Sequence, residues 1–463
     1  MTGTPDRRSL LKAGGAAVGG LALTGLATAP AHAADAPAPG PDPRLTHGVV
    51  TGDVTENTAL IWSRADRATQ MHVEYGPVAE VEGPAPRPGA RKTKKLQVTA
   101  ARDFIGQFTL RGLLPDTEYG YRVVLCGATA DVEGPLATFR TAPSALVAAP
   151  VRFTWGADVG QGARNRPPFP SFASMAAERP DFFLFNGDTI YGDGATPAGP
   201  GAKTVAEFWG KYKENREDPL FQGLARQTPL IVNWDDHEVD NDYRGQDPTL
   251  PAGRLGAGRT AFLDYWPLSS APGNKSWRCL RWGGELEVFV LDCRQYADPL
   301  AKPDGPGKTM LGAQQFRWLL NKVRDSSARW KVLATSCPVS TMRSAKPPYD
   351  DWVAYEHELG ELLGAWRKAN VRNLVWLTAD VHYAQAVRYP EMNMWEFLGA
   401  PIGANPRVVG SPLSPTFGAQ ERFLGLNERY YGSVAVDPVS RTMTVDLKLQ
   451  DGTLKHREVL VAE

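Results

Sequence analysis

Cysteine is scarce in this chain. There are four in 463 residues, Cys126, Cys279, Cys293 and Cys337, and none stands in a CxxC pair. That spacing argues against a thiolate zinc cluster. Two readings remain: buried free thiols, or a disulfide for which Cys293 and Cys337 are the candidates because each ends a strand-like run. An excess of either charge is also lacking. The 51 Lys and Arg balance 51 Asp and Glu, so no net field argues for nucleic acid or an anionic membrane. Beyond the first 33 residues no run is long and apolar enough to span a bilayer. No internal repeat is visible.

Glycine and proline, by contrast, are plentiful, at 46 and 38, and imply many loops. The 13 tryptophans fit large cores and ligand rims equally well. The length suggests two domains or three.

The opening residues read as an address. "DRRSLLKAGGAAVGGLALTGLATAPAHA" places Arg7 and Arg8 before Leu10, Leu11 and Lys12, then a mild apolar stretch, then Ala-His-Ala. This is the pattern of a twin-arginine export signal, with cleavage expected after Ala33. Its partner would be the twin-arginine translocase, and its destination the cell surface, the periplasm or the medium. Residues 34–43 read as a flexible lead.

From residue 44 to 142 the pattern is short and β-rich. "TALIWSRA" and "MHVEYG" alternate or run apolar, and "LLPDTEYGYRVVL" carries Pro115, Asp116, Thr117 and Tyr119. Short strands at this spacing predict a β-sandwich of the fibronectin or Ig-like kind. The Pro-Asp-Thr-x-Tyr order suits a corner in which a tyrosine hydroxyl ties back to backbone. "TAPSALVAAP" is the expected linker.

From residue 150 to 463 the rhythm changes to α/β. Apolar strands ("VRFTWGAD", "DFFLFNGD", "PLIVNWDDHE", "ELEVFVLDCR", "WKVLATSC", "VRNLVWLTADVH") alternate with helices, among them "GAQQFRWLLNKVRDS" and "VAYEHELGELLGAWRKAN". The end reads as antiparallel strands with turns at "DPVS" and "QDGT". The predicted class is therefore α/β (α+β): a sandwich followed by a layered αββα domain with mixed sheets.

Four of these strands finish in acids: at Asp158, at Asp188, at Asp235 with Asp236, and at Asp380 with His382. In layered α/β domains ligands gather beyond the carboxyl ends of strands. Clustered carboxylates repel one another unless a cation is present. Several carboxylates with one or two histidines describe a hydrolytic metal site, whereas any one of these strand ends alone reads as a turn.

The order Asp158, Gly187-Asp188-x-x-Tyr191, Asp236-His237-Glu238, Asp380-x-His382 resembles the metallophosphoesterase pattern. "GDTIYGD", "WDDHEVDND", "LDCRQY", "KTMLGAQQFRWLL" and "TADVHYA" sharpen the resemblance to PhoD-type alkaline phosphatases, members of the calcineurin-like superfamily. "THGVVTGDVTENTALIWSR" resembles the start of that family's N-terminal β-domain. The resemblance implies that Asp188 bridges two metals, with Asp158, Tyr191 and His382 completing the first site. A phenolate and an imidazole suit ferric iron. Asp236 and Asp380 stand where the wider superfamily has Asn and His, so the second site, helped by Asp235, is nearly all oxygen. That favours a hard ion such as calcium over zinc, and the family implies Fe3+ and Ca2+. Asp158 stands where family members often carry a cysteine, which leaves the first metal's identity open. The C-terminal helix that covers the site in well-known members has no counterpart in the β-like end of this chain.

The implied chemistry is a hydroxide held between two cations that attacks phosphorus in line. His237 is placed to protonate the leaving oxygen, or else to orient its neighbours. Arg164, Asn165 and Arg166 follow the first motif and are candidates to grip phosphate oxygens, as is Arg294; surface salt bridges are the alternative. Asp193, Asp240 and Asp242 read as turn caps. The expected function is a secreted phosphomonoesterase acting on small-molecule phosphate esters. The alternative is a phosphodiesterase of the phospholipase D type, for which phospholipid is a substrate and aromatic-rich loops ("MNMWEFLGAPIG", Trp209, Trp266) would be suited. A more distant alternative is a surface-binding protein that has lost catalysis.

Overall fold

The strand Phe182–Asn186 is buried at every position, as are Leu230–Asn233, Trp330–Ala334 and Leu374–Thr378. Strands that read as unbroken apolar runs must be covered on both faces, and that requirement generates the layers. In the computed structural model, which describes residues 41–463 apart from 86, 129, 161–164, 247, 270–274 and 343–349, two large mixed sheets stack face to face. The expected leader 1–33 and most of the lead lie outside the described residues.

The first sheet has nine strands, in the order Leu454–Val461, Thr442–Leu449, Tyr430–Asp437, Val151–Gly156, Phe182–Asn186, Leu230–Asn233, Leu45–Gly52, Thr58–Ala65, Ile105–Arg111. The second has seven: Arg278–Trp282, Leu286–Val290, Trp330–Ala334, Leu374–Thr378, Met394–Leu398, Ala384–Tyr389, Gln420–Gly425. Alternation along one strand sorts the cores. Phe182 and Leu184 point between the sheets to meet Trp282, Leu286 and Val288. Phe183 and Phe185 point outward to helices Pro170–Ala177, Val205–Arg216 and Arg254–Tyr265. On the far side Phe289, Leu333 and Trp376 pack under Gly312–Asp325 and Glu356–Lys368. This is the αββα stack expected from the sequence.

The N-terminal strands form the expected sandwich. A second, smaller sheet built on Thr69–Pro77 and Glu118–Leu125 faces Leu45–Gly52, Thr58–Ala65 and Ile105–Arg111. The tyrosine corner is present: Leu114 N–H donates to Tyr119 Oη at 2.9 Å. Strand pairing nevertheless crosses the linker. Gly52 pairs in parallel with Leu230, so one face of the sandwich continues into the first large sheet. Asp53 secures that seam. Its carboxylate, 1% exposed, accepts from Arg278 Nε (2.6 Å) and Nη2 (2.7 Å) and from Ser269 N (2.6 Å) and Oγ (2.7 Å). Asp53→Ala leaves a buried guanidinium without its counter-charge and is expected to lower unfolding stability by roughly 3–5 kcal/mol. Urea denaturation checks this, and a loss under 1 kcal/mol would refute the seam.

Two readings change. "MNMWEFLG" is not an aromatic loop: Met394–Leu398 is an interior strand of the second sheet, and Trp395 stacks on Phe397. Trp266 is buried in the helix-side core and Trp209 donates its indole N–H to Asp264. All four cysteines are free, with Cys293 and Cys337 fully buried.

Candidate metal centre

Four strands end at one place. Val151–Gly156 leads to Asp158, Phe182–Asn186 to Asp188 and Tyr191, and Leu230–Asn233 to Asp235, Asp236 and His237; these are neighbours in the first sheet. Leu374–Thr378 of the second sheet leads to Asp380 and His382. Two asparagines in register, Asn186 opposite Asn233, hold the sheet ends together. Asn186 Nδ2 donates to Thr335 O (2.9 Å) and Leu377 O (3.0 Å), and Asn233 Nδ2 to Leu291 O (2.9 Å).

The chain then kinks at each loop. Asp158, Asp188, Asp380 and His382 all have left-handed backbone, with φ of 60°, 48°, 76° and 58°. Such residues cost about 1 kcal/mol each and persist only where the surroundings hold them. Gly187 permits the closest approach: a Cβ there would lie 2.8 Å from Asp235 Cβ and 3.1 Å from Ser336 Cβ.

These kinks bring the predicted ligands together. One ligand atom each from Asp158, Asp188 and His382 lies within 4.8 Å of the others. The same holds for Asp188, Asp236 and His237, and for Asp188, Asp235, Asp236 and Asp380. Asp188 belongs to all three groups, as a bridging ligand must. The acidic bed extends to Asp242, Asp350 and Asp351.

The donor set fits cations. Asp188 Oδ2 and Asp235 Oδ2 are buried with no hydrogen-bond donor, and orphaned carboxylate oxygens are rare in folded proteins. Burial, then the charges of Asp236, Asp235 and Asp158, pushes the Asp188 carboxyl well above its ordinary value. Burial likewise raises Asp235, although Arg294 opposes it. Bound cations would relieve both.

The flanking side chains are set by partners of fixed polarity. His382 Nδ1 lies 2.9 Å from Asn405 O, which only accepts, so Nδ1 carries the proton. The other nitrogen, Nε2, accepts from Tyr191 Oη at 2.9 Å through the lone pair that a cation would take. Burial and then the charge of Asp188 raise the Tyr191 phenol well above its usual pKa; it becomes a phenolate only where a cation offsets the acids. His237 Nδ1 sits 2.7 Å from Asp193 Oδ1, and its ring lies 4.0 Å, centroid to centroid, from Tyr191. Burial opposes the imidazolium, but Asp236 and Asp193 outweigh it and hold the pKa at about 9. Glu238 grips two ligand loops. Its Oε1 accepts from Thr189 N and Oγ1, both at 2.6 Å, and its Oε2 accepts from Asp235 N at 2.7 Å.

The arginine candidates divide. Arg294 is fully buried and lies within the acid bed, donating to Asp235, to Asp350 Oδ1 (3.0 Å) and to Asp380 Oδ2 (3.3 Å). Neither a surface salt bridge nor an exposed phosphate clamp describes that position; its charge is engaged by carboxylates. Asn165 is buried and accepts from Arg429 Nη2 at 3.0 Å, while Arg166 is exposed. Arg164 lies outside the described residues. Sequence reasoning gave Asp193 only a turn-capping role and Glu238 only a place in the motif, and it missed Asp350, Arg429 and the asparagine pair. For Asp193, the signal was the second aspartate of "GDTIYGD", which it took for a turn cap.

Comparison with known proteins bears on the family and the fold. A profile described as PhoD-like phosphatase matches residues 155–447, and one described as PhoD-like phosphatase, N-terminal domain, matches residues 29–143. Alkaline phosphatase D of Bacillus subtilis (strain 168) is 29% identical over 255 residues, 47% of this chain and 44% of that protein, so the match spans less than half the relative's length. The solved structure of PhoD superposes with a TM-score of 0.74 at 23% identity, covering 90% of this chain and 88% of that one. A purple acid phosphatase from yellow lupin (Lupinus luteus) seeds superposes at 0.63 and 14% identity, covering 91% and 74%. These two likenesses establish the fold. No helix among the described residues is long and apolar enough to cross a membrane.

Proposed function

The chain belongs to the PhoD-like phosphatase family, and from that premise we propose that it is an exported, metal-dependent phosphoesterase that hydrolyses phosphate monoesters. The observation that carries this reading is the sharing of Asp188 by three overlapping groups of ligand atoms, with one of its oxygens unpartnered. Asp158, Asp188, Tyr191 and His382 would hold Fe3+, and Asp188, Asp235, Asp236 and Asp380 would hold Ca2+. When bound, such a pair supplies water activation near neutral pH and charge neutralisation at a phosphoryl group.

The chain's own residues do the rest. His237 is held through Nδ1 by Asp193, which leaves Nε2 to deliver a proton to the departing alcohol oxygen. Arg294 offsets the acid bed from within. Arg166, beside buried Asn165, is the described arginine of the first loop that stays exposed for phosphate oxygens. Residues 1–33 would direct export through the twin-arginine translocase.

His237→Asn tests the acid. With an alkyl phosphate, whose leaving group needs the proton, kcat is expected to fall roughly 100-fold or more. With p-nitrophenyl phosphate, whose phenolate leaves unaided, the loss is expected to be about tenfold or less. Equal losses would assign His237 an orienting role.

One observation favours the diester reading. Val408 and Val409, 68% and 70% exposed, sit on the loop whose Asn405 carbonyl fixes His382, where an apolar alcohol could rest. Rates on p-nitrophenyl phosphate, bis-p-nitrophenyl phosphate and phosphatidylcholine separate monoesterase from phospholipase D-type chemistry. Metal analysis of protein exported in folded form is expected to give iron with calcium. Zinc alone would overturn the second-site assignment. No metal and no hydrolysis would favour a surface-binding protein.

A further inference from the structure

Arg216, the last residue of helix Val205–Arg216, is 2% exposed and has no acidic partner among the described residues. Its guanidinium is enclosed by aromatic rings: the central carbon lies 4.0 Å from the Trp266 centroid, 4.4 Å from that of Trp62 and 5.2 Å from that of Phe221. One nitrogen, Nη2, donates to Tyr265 O. The other two, Nε and Nη1, are buried without a hydrogen-bond acceptor among the described residues. The neighbouring acids are engaged elsewhere. Asp218 caps the next helix through Leu220 N and Phe221 N and accepts from Phe169 N. Asp103 is held by Arg64 and the Tyr265 hydroxyl.

Burial lowers the pKa of this guanidinium only to about 9, so it remains charged at neutral pH. A buried, unpaired charge is strongly penalised. Stacking on the aromatic rings offsets part of that penalty and satisfies neither orphan N–H. A cavity adjoins the group, lined by Arg216, Tyr212, Asn215, Thr189, Trp266 and Phe185. It leaves about 10 Å³ for the centre of a water-sized occupant, which is room for one particle of roughly atomic size and no polyatomic group. Tyr212 lines the same cavity, and its hydroxyl is buried beside Thr189 and Trp266.

We propose that this cavity binds a single small monovalent anion of the halide class, held by Arg216 Nε and Nη1. Water would satisfy a donor but leave the charge uncompensated. Phosphate, sulfate and carboxylates are too large for the space. The site lies behind Thr189, next to Asp188, so the anion braces one of the acid-bearing loops from its rear while remaining separate from the acid bed.

Bromide tests this in the intact protein. Crystals soaked in sodium bromide are expected to show an anomalous peak in contact with Arg216 Nε and Nη1. Ordered density there without anomalous signal identifies water and overturns the proposal, as does an empty cavity. In solution, the melting temperature is expected to rise by a few degrees, saturably, as chloride replaces gluconate at constant ionic strength. Arg216→Met, which keeps the stem between the rings and removes the charge, is expected to abolish that rise. Chloride dependence that persists in this variant overturns the proposal. Should the variant fail to fold, the bromide peak in the native protein decides alone.

Discussion

Asp188→Asn is expected to remove phosphoesterase activity by roughly three orders of magnitude or more, and to make the metal-free protein harder to unfold. The two effects have opposite signs and one cause. Asp188 stands in three of the five groups of converging ligand atoms. An amide there lacks the charge to bridge two cations, and the electrostatic stabilisation lost is several kcal/mol, at about 1.4 kcal/mol per factor of ten. Without cations the same carboxylate is a liability, facing Asp236, Asp235 and Asp158 in a buried site. Removing it relieves repulsion, which should raise stability in chelator by roughly 1–2 kcal/mol. Urea unfolding with and without chelator, alongside turnover of p-nitrophenyl phosphate, reads both. An Asp188→Asn protein less stable than its parent in chelator would mean that the carboxylates do not crowd as the geometry requires.

What the sequence made legible was whatever lay next to its own strand. Asp188, Asp236, Asp380 and His382 each follow an apolar run within a few residues, so a strand-end rule finds them, and their convergence follows from the αββα stack. What it hid were partnerships across long separations. Asp193 resembled a turn cap because His237, its partner, lies 44 residues away. Arg294 resembled a phosphate ligand because Asp235 and Asp350, which engage it, sit 59 and 56 residues away on either side. Helix Arg254–Tyr265 left little trace, since "RLGAGRTAFLDY" carries two glycines and buries Gly258 against Glu238 O, a contact that only the fold supplies. The parallel pairing of Gly52 with Leu230 had no local sign at all.

Glu238 gives the second large effect, which appears when cations are stripped. Burial raises its carboxyl from 4.5 to about 7, against the bonds it accepts from Thr189 and Asp235. Below about pH 4.5 both folded and unfolded chains hold this proton. Between 4.5 and 7 the unfolded chain releases it while the fold retains it, so stability falls across that window, by roughly 3 kcal/mol in all. Asp188 and Asp235, also raised, act with the same sign from their own ordinary value upward. His237, raised from 6.5 to about 9, extends the decline to higher pH, because a raised base stabilises the fold only while protonated. The stripped protein should therefore unfold at lower urea at pH 8 than at pH 5. With cations bound, Asp188 and Asp235 are held ionised, their contribution reverses, and the loaded protein should be the more stable of the two by a margin that widens with pH. Glu238→Gln separates the parts: it should flatten the stripped protein's slope between 4.5 and 7 while leaving the cation-dependent margin at pH 8 in place. A stripped protein equally stable at pH 5 and pH 8 would remove the crowding on which the metal centre is argued.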